Sequence, residues 1–301
     1  MFCRWASLLA VPVYVGIAAG QPTSDAVAQA KVLLHAGQEQ EAAEVLRKAI
    51  GAGDDSAAVH GELGLLFYRQ GRFGDAIREL GRAAQLDPES SDYSLKLAGS
   101  IIAEQRFPVA LEFLNAVRSR FENLVEYQYN LGMAHYGMDE YAEALKAFQK
   151  AVELAPKMDM AYFFIGNVYI AKGEMEKAVP YYRKANALNP RSSAYCLALG
   201  KVYGFMGPEH QPEALEWLRK ALKLKPGDIP SELELAIACE RSDDFACAVP
   251  LLQDVIARHP NEILPHIVLA RIYSKTNERS KARAESEIAR RLQASQPSHR
   301  P

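Results

Sequence analysis

Eight alanines recur along the chain at a nearly constant interval, which constrains the fold more than any other feature of the sequence. Six of the seven steps between them are 34 residues long and one is 36. A period of 34 residues is typical of arrays in which every repeat is one helix-turn-helix unit. The chain is therefore predicted to be a repeat array and not a single globular enzyme domain. The eight alanines are Ala42, Ala76, Ala110, Ala144, Ala178, Ala214, Ala248 and Ala282.

A second set of small residues precedes these alanines by twelve positions, or by fourteen where the longer step falls. Small residues on two successive helices let their backbones approach closely, so each repeat is predicted to be a tightly packed antiparallel helical pair. Large apolar residues at helical spacing, such as Leu63 and Phe67, fill the space between them. The set consists of Ala30, Gly64, Ala98, Gly132, Gly166, Gly200, Ala236 and Ala270.

Four of the eight repeats also carry a glycine at the predicted turn between the two helices. A helix end of this kind commonly needs a left-handed backbone, which glycine adopts without steric cost. The repeats that begin near residues 91 and 263 have Gln105 and Asn277 instead, and they lack a closing proline. We expect looser geometry there. The turn glycines are Gly37, Gly71, Gly173 and Gly207.

In these positions the chain resembles the tetratricopeptide repeat family. The repeat that starts near Ala57 carries the family pattern most fully, and the two repeats after residue 124 carry it again. The resemblance implies an all-α fold, a right-handed superhelical solenoid of about eight antiparallel helix pairs over residues 23–296. The matching residues of the first of these repeats are Leu63, Gly64, Phe67, Gly71, Phe73, Ala76, Leu80, Ala83 and Pro88. The predicted repeats are 23–56, 57–90, 91–124, 125–158, 159–192, 193–228, 229–262 and 263–296.

The first twenty residues follow a different pattern. Arg4 is followed by a nearly unbroken apolar stretch from residue 6 to residue 19, and Ala18, Ala19 and Gly20 are small. This combination predicts a signal peptide over residues 1–20 with cleavage before Gln21. The mature chain would then be exported, with the periplasm as the first interpretation and the extracellular space as the second. An uncleaved N-terminal membrane anchor is the alternative, and no integral span is expected after cleavage.

At the other end, charged residues between Arg279 and Arg291 predict a polar capping helix. Residues 293–301 are expected to be a disordered tail.

Three cysteines follow the predicted cleavage site. Cys239 and Cys247 fall near the end of one predicted helix and the start of the next, a hairpin arrangement that suits a disulfide in an oxidising compartment. Alternatively, these two cysteines and Cys196 are small packing residues.

The sequence offers little that indicates chemistry. Its seven histidines show no metal-ligand spacing, and there is no phosphate loop, dinucleotide fingerprint or nucleophile elbow. We therefore predict no enzyme activity, no cofactor and no metal site. The net charge of −2 provides no general attraction to nucleic acid, so nucleic acid is not an expected partner.

The family resemblance implies that the first helix of each pair lines a concave groove. Aromatic and methionine side chains at those positions suggest recognition of an extended or helical apolar peptide, with polar side chains as handles. The alternative is that tight coiling buries much of this strip against neighbouring helices. The predicted groove residues are Tyr68, Arg69, Lys96, Tyr129, Asn130, Met133, Tyr136, Phe163, Phe164, Asn167, Lys201 and Phe205.

These features predict an exported, non-enzymatic scaffold that binds a partner protein or peptide within a cell-envelope assembly. The family's carboxylate clamp is absent, because the positions around Asn130 hold Leu95, Gly99, Met160 and Phe164. Two alternatives stay open, a self-associating structural subunit, hence a homo-oligomer, and an enzyme with scattered catalytic residues.

Overall fold

The computed structural model describes residues 23–295, and in that part of the chain the secondary structure is sixteen α-helices and one short 3₁₀ turn, with no strand. The predicted all-α fold is confirmed. None of these helices is long and apolar enough to cross a bilayer. The helices are α1 (Thr23–His35), α2 (Glu39–Gly51), α3 (Ala57–Arg69), α4 (Phe73–Leu86), α5 (Ser91–Ala103), α6 (Phe107–Phe121), α7 (Val125–Gly137), α8 (Tyr141–Leu154), α9 (Asp159–Ala171), α10 (Met175–Leu188), α11 (Ser193–Met206), α12 (Gln211–Leu224), α13 (Ile229–Arg241), α14 (Phe245–Arg258), α15 (Ile263–Lys275) and α16 (Arg279–Ser295).

The predicted signal peptide and the predicted disordered tail lie at the two ends of the chain. The predicted signal peptide, residues 1–20, lies outside the described residues. The tail expected to be disordered from residue 293 is helical in its first three residues, because α16 continues to Ser295. Residues 296–301 lie outside the described part.

The chain divides into two compact units, residues 1–120 and 121–301. Described residues of the first unit form α1 to α5 and nearly all of α6, and those of the second form α7 to α16. Within each unit consecutive helices pack as hairpins, for example α3 on α4 and α9 on α10.

Small residues make the close contacts inside these hairpins. Seven of the eight periodic alanines are completely buried, and Ala282 is 8% exposed. A Cβ atom added to Gly64 would lie 2.7 Å from Cγ of Leu80 and 2.9 Å from its backbone nitrogen. At Gly166 the added atom would lie 2.5 Å from the ring of Tyr182. The hairpins therefore close to a distance that only glycine allows at these positions.

Seven of the eight turns between paired helices share one left-handed conformation, including the turns that lack glycine. Gly71 has φ of +70°, and Gln105 and Asn277 have φ of +56° and +63°. The looser geometry expected at these two residues is therefore wrong, since the hydrogen bonds of the helix end hold them in the left-handed region. Gly207 departs from this conformation. Its φ is +136°, and it leads into a 3₁₀ turn at Pro208–His210.

Gln105 should be strained in this conformation. A side chain in the left-handed region costs about 1 kcal/mol or more, and glycine removes that cost. We expect Gln105→Gly to raise the free energy of unfolding of the full chain by about 1 kcal/mol, measured by urea denaturation. Gln85→Gly, at a regular position inside α4, should instead lower it, and equal effects at both sites would contradict the assignment.

Candidate functional site

In the second unit, the first helices α9, α11, α13 and α15 each have an exposed side. Each of them packs its other side on its hairpin partner, yet large apolar side chains remain exposed on α9, α11 and α15. Phe205 is 56% exposed, Met160 42% and Ile267 41%. An apolar residue that is not covered by its own chain is available to a partner. We call this surface the first-helix face, formed by Met160, Ile170, Lys201, Phe205, Arg241, Leu264, Ile267, Arg271 and Lys275.

Charged pairs link neighbouring first helices across this face. Lys201 Nζ lies 3.1 Å from Glu234 Oε1, which joins α11 to α13. Glu240 on α13 accepts from two cations of α15, with Arg271 Nη2 at 3.1 Å and Lys275 Nζ at 3.0 Å. These contacts hold the first helices in a common register.

In these ion pairs the carboxylates are more buried than the cations. The Glu240 side chain is 6% exposed, whereas Arg271 and Lys275 are 49% and 44% exposed. Lys201 is likewise more exposed than Glu234. Because Glu234 and Glu240 are more buried than their cationic partners, the face presents positive charge at these pairs, although Lys275 also contacts the exposed carboxylate of Asp243 at 3.1 Å.

Arg241 and Phe205 form a further exposed pair. The Arg241 guanidinium lies 5.6 Å from the centre of the Phe205 ring, and its Nη1 donates to the carbonyl oxygen of Gly204 at 2.7 Å. The hydrogen bond to α11 keeps the guanidinium over the ring. An aromatic ring and a cation are thus held side by side, a combination frequent at protein interfaces.

Several predicted groove residues form an aromatic cluster instead. Phe164 stacks on Phe148 with ring centres 5.6 Å apart and touches the edges of Tyr129 and Tyr136 at 5.9 and 6.0 Å. Phe163 joins the cluster at 5.5 Å. All four predicted members, Tyr129, Tyr136, Phe163 and Phe164, are half-buried, so much of their surface is occupied by packing within the second unit.

The predicted polar handles are also partly engaged within the chain. Tyr182 donates its hydroxyl to Asn167 Oδ1 at 2.7 Å. Burial raises the pKa of the Tyr182 phenol far above its usual range, so the phenol stays a hydrogen-bond donor. Asn130 is 6% exposed and therefore offers little surface to a ligand. Met133 is half-buried, and Lys201 is engaged by Glu234.

Three predicted groove residues belong to the first unit. Tyr68 is half-buried and packs edge-on against Phe73, with ring centres 5.8 Å apart. Lys96 Nζ lies 5.4 Å from the centre of the Tyr68 ring, and Arg69 is exposed. These residues form a small aromatic and basic surface of that unit.

The sequence prediction included Lys201 but not Arg241, Arg271 or Lys275. Arg241 and Lys275 are 34 residues apart and so occupy the same position in successive repeats. Lys201 and Arg271 likewise share a repeat position. The repeat period could therefore have identified these cationic positions from the sequence. The burial of Glu234 and Glu240, in contrast, depends on how the helices pack.

The two cysteines that the hairpin arrangement brought together are joined in the structure. Cys239 near the end of α13 and Cys247 at the start of α14 form a disulfide, with their Cα atoms 6.0 Å apart. Cys239 is completely buried and Cys247 is half-buried. Cys196 is a free, buried thiol.

Comparison with known proteins defines the family. The tetratricopeptide repeat model matches residues 62–123 and 129–193. Photosystem I assembly protein Ycf3 of Rippkaea orientalis is 30% identical over 135 residues, which covers 40% of this chain and 77% of that protein. The chain belongs to the tetratricopeptide repeat family, a class of scaffold suited to protein–protein interaction.

One further relative and one solved structure are also similar to this chain. Mouse BBSome complex member BBS4 is 24% identical over 139 residues, 46% of this chain and 26% of that protein. The chain thus spans about a quarter of the length of this relative. PilF of Pseudomonas aeruginosa is similar in fold, with a TM-score of 0.62 at 18% identity, covering 71% of this chain and 97% of that chain.

Proposed function

We propose that this protein is an exported, non-enzymatic scaffold that binds a partner polypeptide on its first-helix face. The observation that carries the proposal is the set of exposed apolar side chains on α9, α11 and α15, flanked by cations that are more exposed than the carboxylates of Glu234 and Glu240. Apolar side chains would supply most of the binding energy and the cations would select the partner. The partner that fits is an acidic segment with apolar side chains.

Two further observations support the setting. The apolar N-terminal segment supports export. The periplasm is the first proposed location and the extracellular space the second, and an uncleaved N-terminal membrane anchor is the alternative to cleavage. The Cys239–Cys247 disulfide suits an oxidising compartment. BBS4 is named for its protein complex and Ycf3 for an assembly process, which supports a role for this chain in a protein assembly.

The binding proposal is tested with the double variant Phe205→Ala, Ile267→Ala and a library of short peptides that vary in charge and apolar content. We expect selected peptides to be acidic and to carry apolar residues, and the variant to bind them at least about tenfold more weakly, a loss of about 1.4 kcal/mol. Binding should also weaken with salt. The control is Leu154→Ala, which removes another exposed apolar side chain, 38% exposed, at the end of the second helix α8. Equal loss in the two variants, or selection of basic peptides, would contradict the proposal.

The same exposed side chains favour one other function. A second copy of the chain could cover Phe205 and Ile267, which would make the protein a self-associating structural subunit. Light scattering on the mature chain separates the two, because self-association gives a mass that rises with concentration and falls again in the double variant.

A further inference from the structure

We propose that Cys239, Asp244 and Cys247 form a binding site for a thiophilic divalent cation such as Zn²⁺ when the disulfide is reduced. One ligand atom from each of these residues lies within 4.8 Å of the others. Thiolate sulfur and carboxylate oxygen are common zinc ligands. Ligand atoms around a tetrahedral ion with bonds of about 2.0–2.3 Å lie roughly 3–4 Å apart. The two sulfurs, which are bonded to each other in the disulfide, must therefore separate after reduction, while Asp244 already lies within reach.

Local structure orients all three donors. Cys239 projects from the end of α13, and Cys247 lies in the first turn of α14. Asp244 is the N-cap of α14, and its Oδ1 accepts from the backbone N–H of Cys247 at 3.1 Å. This hydrogen bond fixes the carboxylate beside the thiol and leaves Oδ2 available to a metal.

The neighbouring carboxylate of Asp243 interacts with α15 instead, because its Oδ1 accepts from Lys275 Nζ at 3.1 Å. Asp244 is exposed, so solvent can fill the fourth coordination position, as in open three-ligand sites.

The two states of the site are exclusive and the exchange balances. A dithiol reductant transfers two electrons and two protons to the disulfide, which yields two thiols and the oxidised reductant. Binding of M²⁺ then releases the two thiol protons and forms two metal–sulfur bonds. The hairpin of α13 and α14 is therefore cross-linked either by a disulfide or by a metal ion. This inference is independent of the proposed function, because it concerns a turn and not the first-helix face.

The test uses the full chain with Cys3→Ser and Cys196→Ser, so that neither of the other two cysteines adds a signal. The reduced protein is titrated with Co²⁺ under anaerobic conditions, thiolate-to-cobalt absorption is recorded, and Zn²⁺ is then added as competitor. We expect one equivalent of Co²⁺ to bind to the reduced protein, to be displaced by Zn²⁺, and not to bind to the oxidised protein.

Asp244→Asn and Asp243→Asn form the matched pair of variants. Asparagine preserves the N-cap, and circular dichroism checks that both variants fold. Loss of an outer-shell partner typically weakens metal binding about 10–100-fold, so loss of a direct ligand in Asp244→Asn should weaken it at least tenfold, whereas Asp243→Asn should bind normally. Absence of the absorption band in the reduced protein, its persistence in Cys239→Ser, or equal affinities of the two asparagine variants would overturn the site.

Discussion

Gly64→Ala is expected to lower the free energy of unfolding by about 2 kcal/mol, although alanine is the better helix former. The added methyl group would meet Leu80 on the partner helix, including its backbone nitrogen at 2.9 Å. A side chain can rotate away, but a backbone atom moves only if α3 and α4 separate. Overpacking of this kind costs about 1–3 kcal/mol, which exceeds the gain of about 1 kcal/mol from helix propensity.

Gly81→Ala is the matched control, since Gly81 lies inside α4 of the same hairpin and an added Cβ meets nothing within 4 Å. There the propensity gain of about 1 kcal/mol should appear as stabilisation. The two alanine variants should therefore differ by about 3 kcal/mol in chemical denaturation followed by circular dichroism. If Gly64→Ala were as stable as Gly81→Ala, the close approach of the paired helices would not be what limits this position.

Phe164→Ala is expected to destabilise the second unit by about 3 kcal/mol. The Phe164 ring packs against four others, Phe148, Tyr129, Tyr136 and Phe163, at 5.5 to 6.0 Å. Truncation removes these contacts and opens a cavity that a cluster of rigid rings fills poorly. The value lies at the lower end for phenylalanine because the side chain is half-buried.

Phe205→Ala provides the comparison, because the Phe205 side chain is 56% exposed. Its loss removes mainly the contact with Arg241, so we expect a change within about 1 kcal/mol. Thermal unfolding of the two variants under the same conditions measures the difference. A large effect of Phe205→Ala, or a negligible effect of Phe164→Ala, would reverse the assignment of these residues to the exposed face and the packed cluster.

This contrast also determines which variants can test binding. Substitutions at Phe163 and Phe164 would reduce binding through loss of structure as well as through loss of contact. Phe205 and Ile267 report on recognition more directly, since they are exposed and their replacement leaves the aromatic cluster intact.

Much of the fold could be predicted because the repeat imposes the same packing problem on every helical pair. Gly132 and Gly166 mark where a partner ring must fit, and Ala144 and Ala178 mark the facing positions on the second helix. The turn was harder to predict. Gln105 was expected to loosen it, but the helix-end hydrogen bonds impose the left-handed conformation at a cost that the hairpin contacts outweigh.

The candidate site could be predicted only in part. Helical periodicity placed Phe205, Phe163 and Lys201 on first helices, but it could not distinguish a ring open to solvent from one covered by neighbours. That distinction depends on which side chains of adjacent hairpins meet, as Phe163 meets Tyr195 at 5.1 Å.

The sequence by itself determined the number, type and pairing of the helices, because small residues at a fixed period permit one close packing of each hairpin. Only the tertiary structure decided which first-helix residues are exposed, that Glu240 lies beneath Arg271 and Lys275, and that Asp244 stands beside two cysteines. Those properties depend on contacts between hairpins and on the path of the turns, which the repeat pattern leaves undetermined.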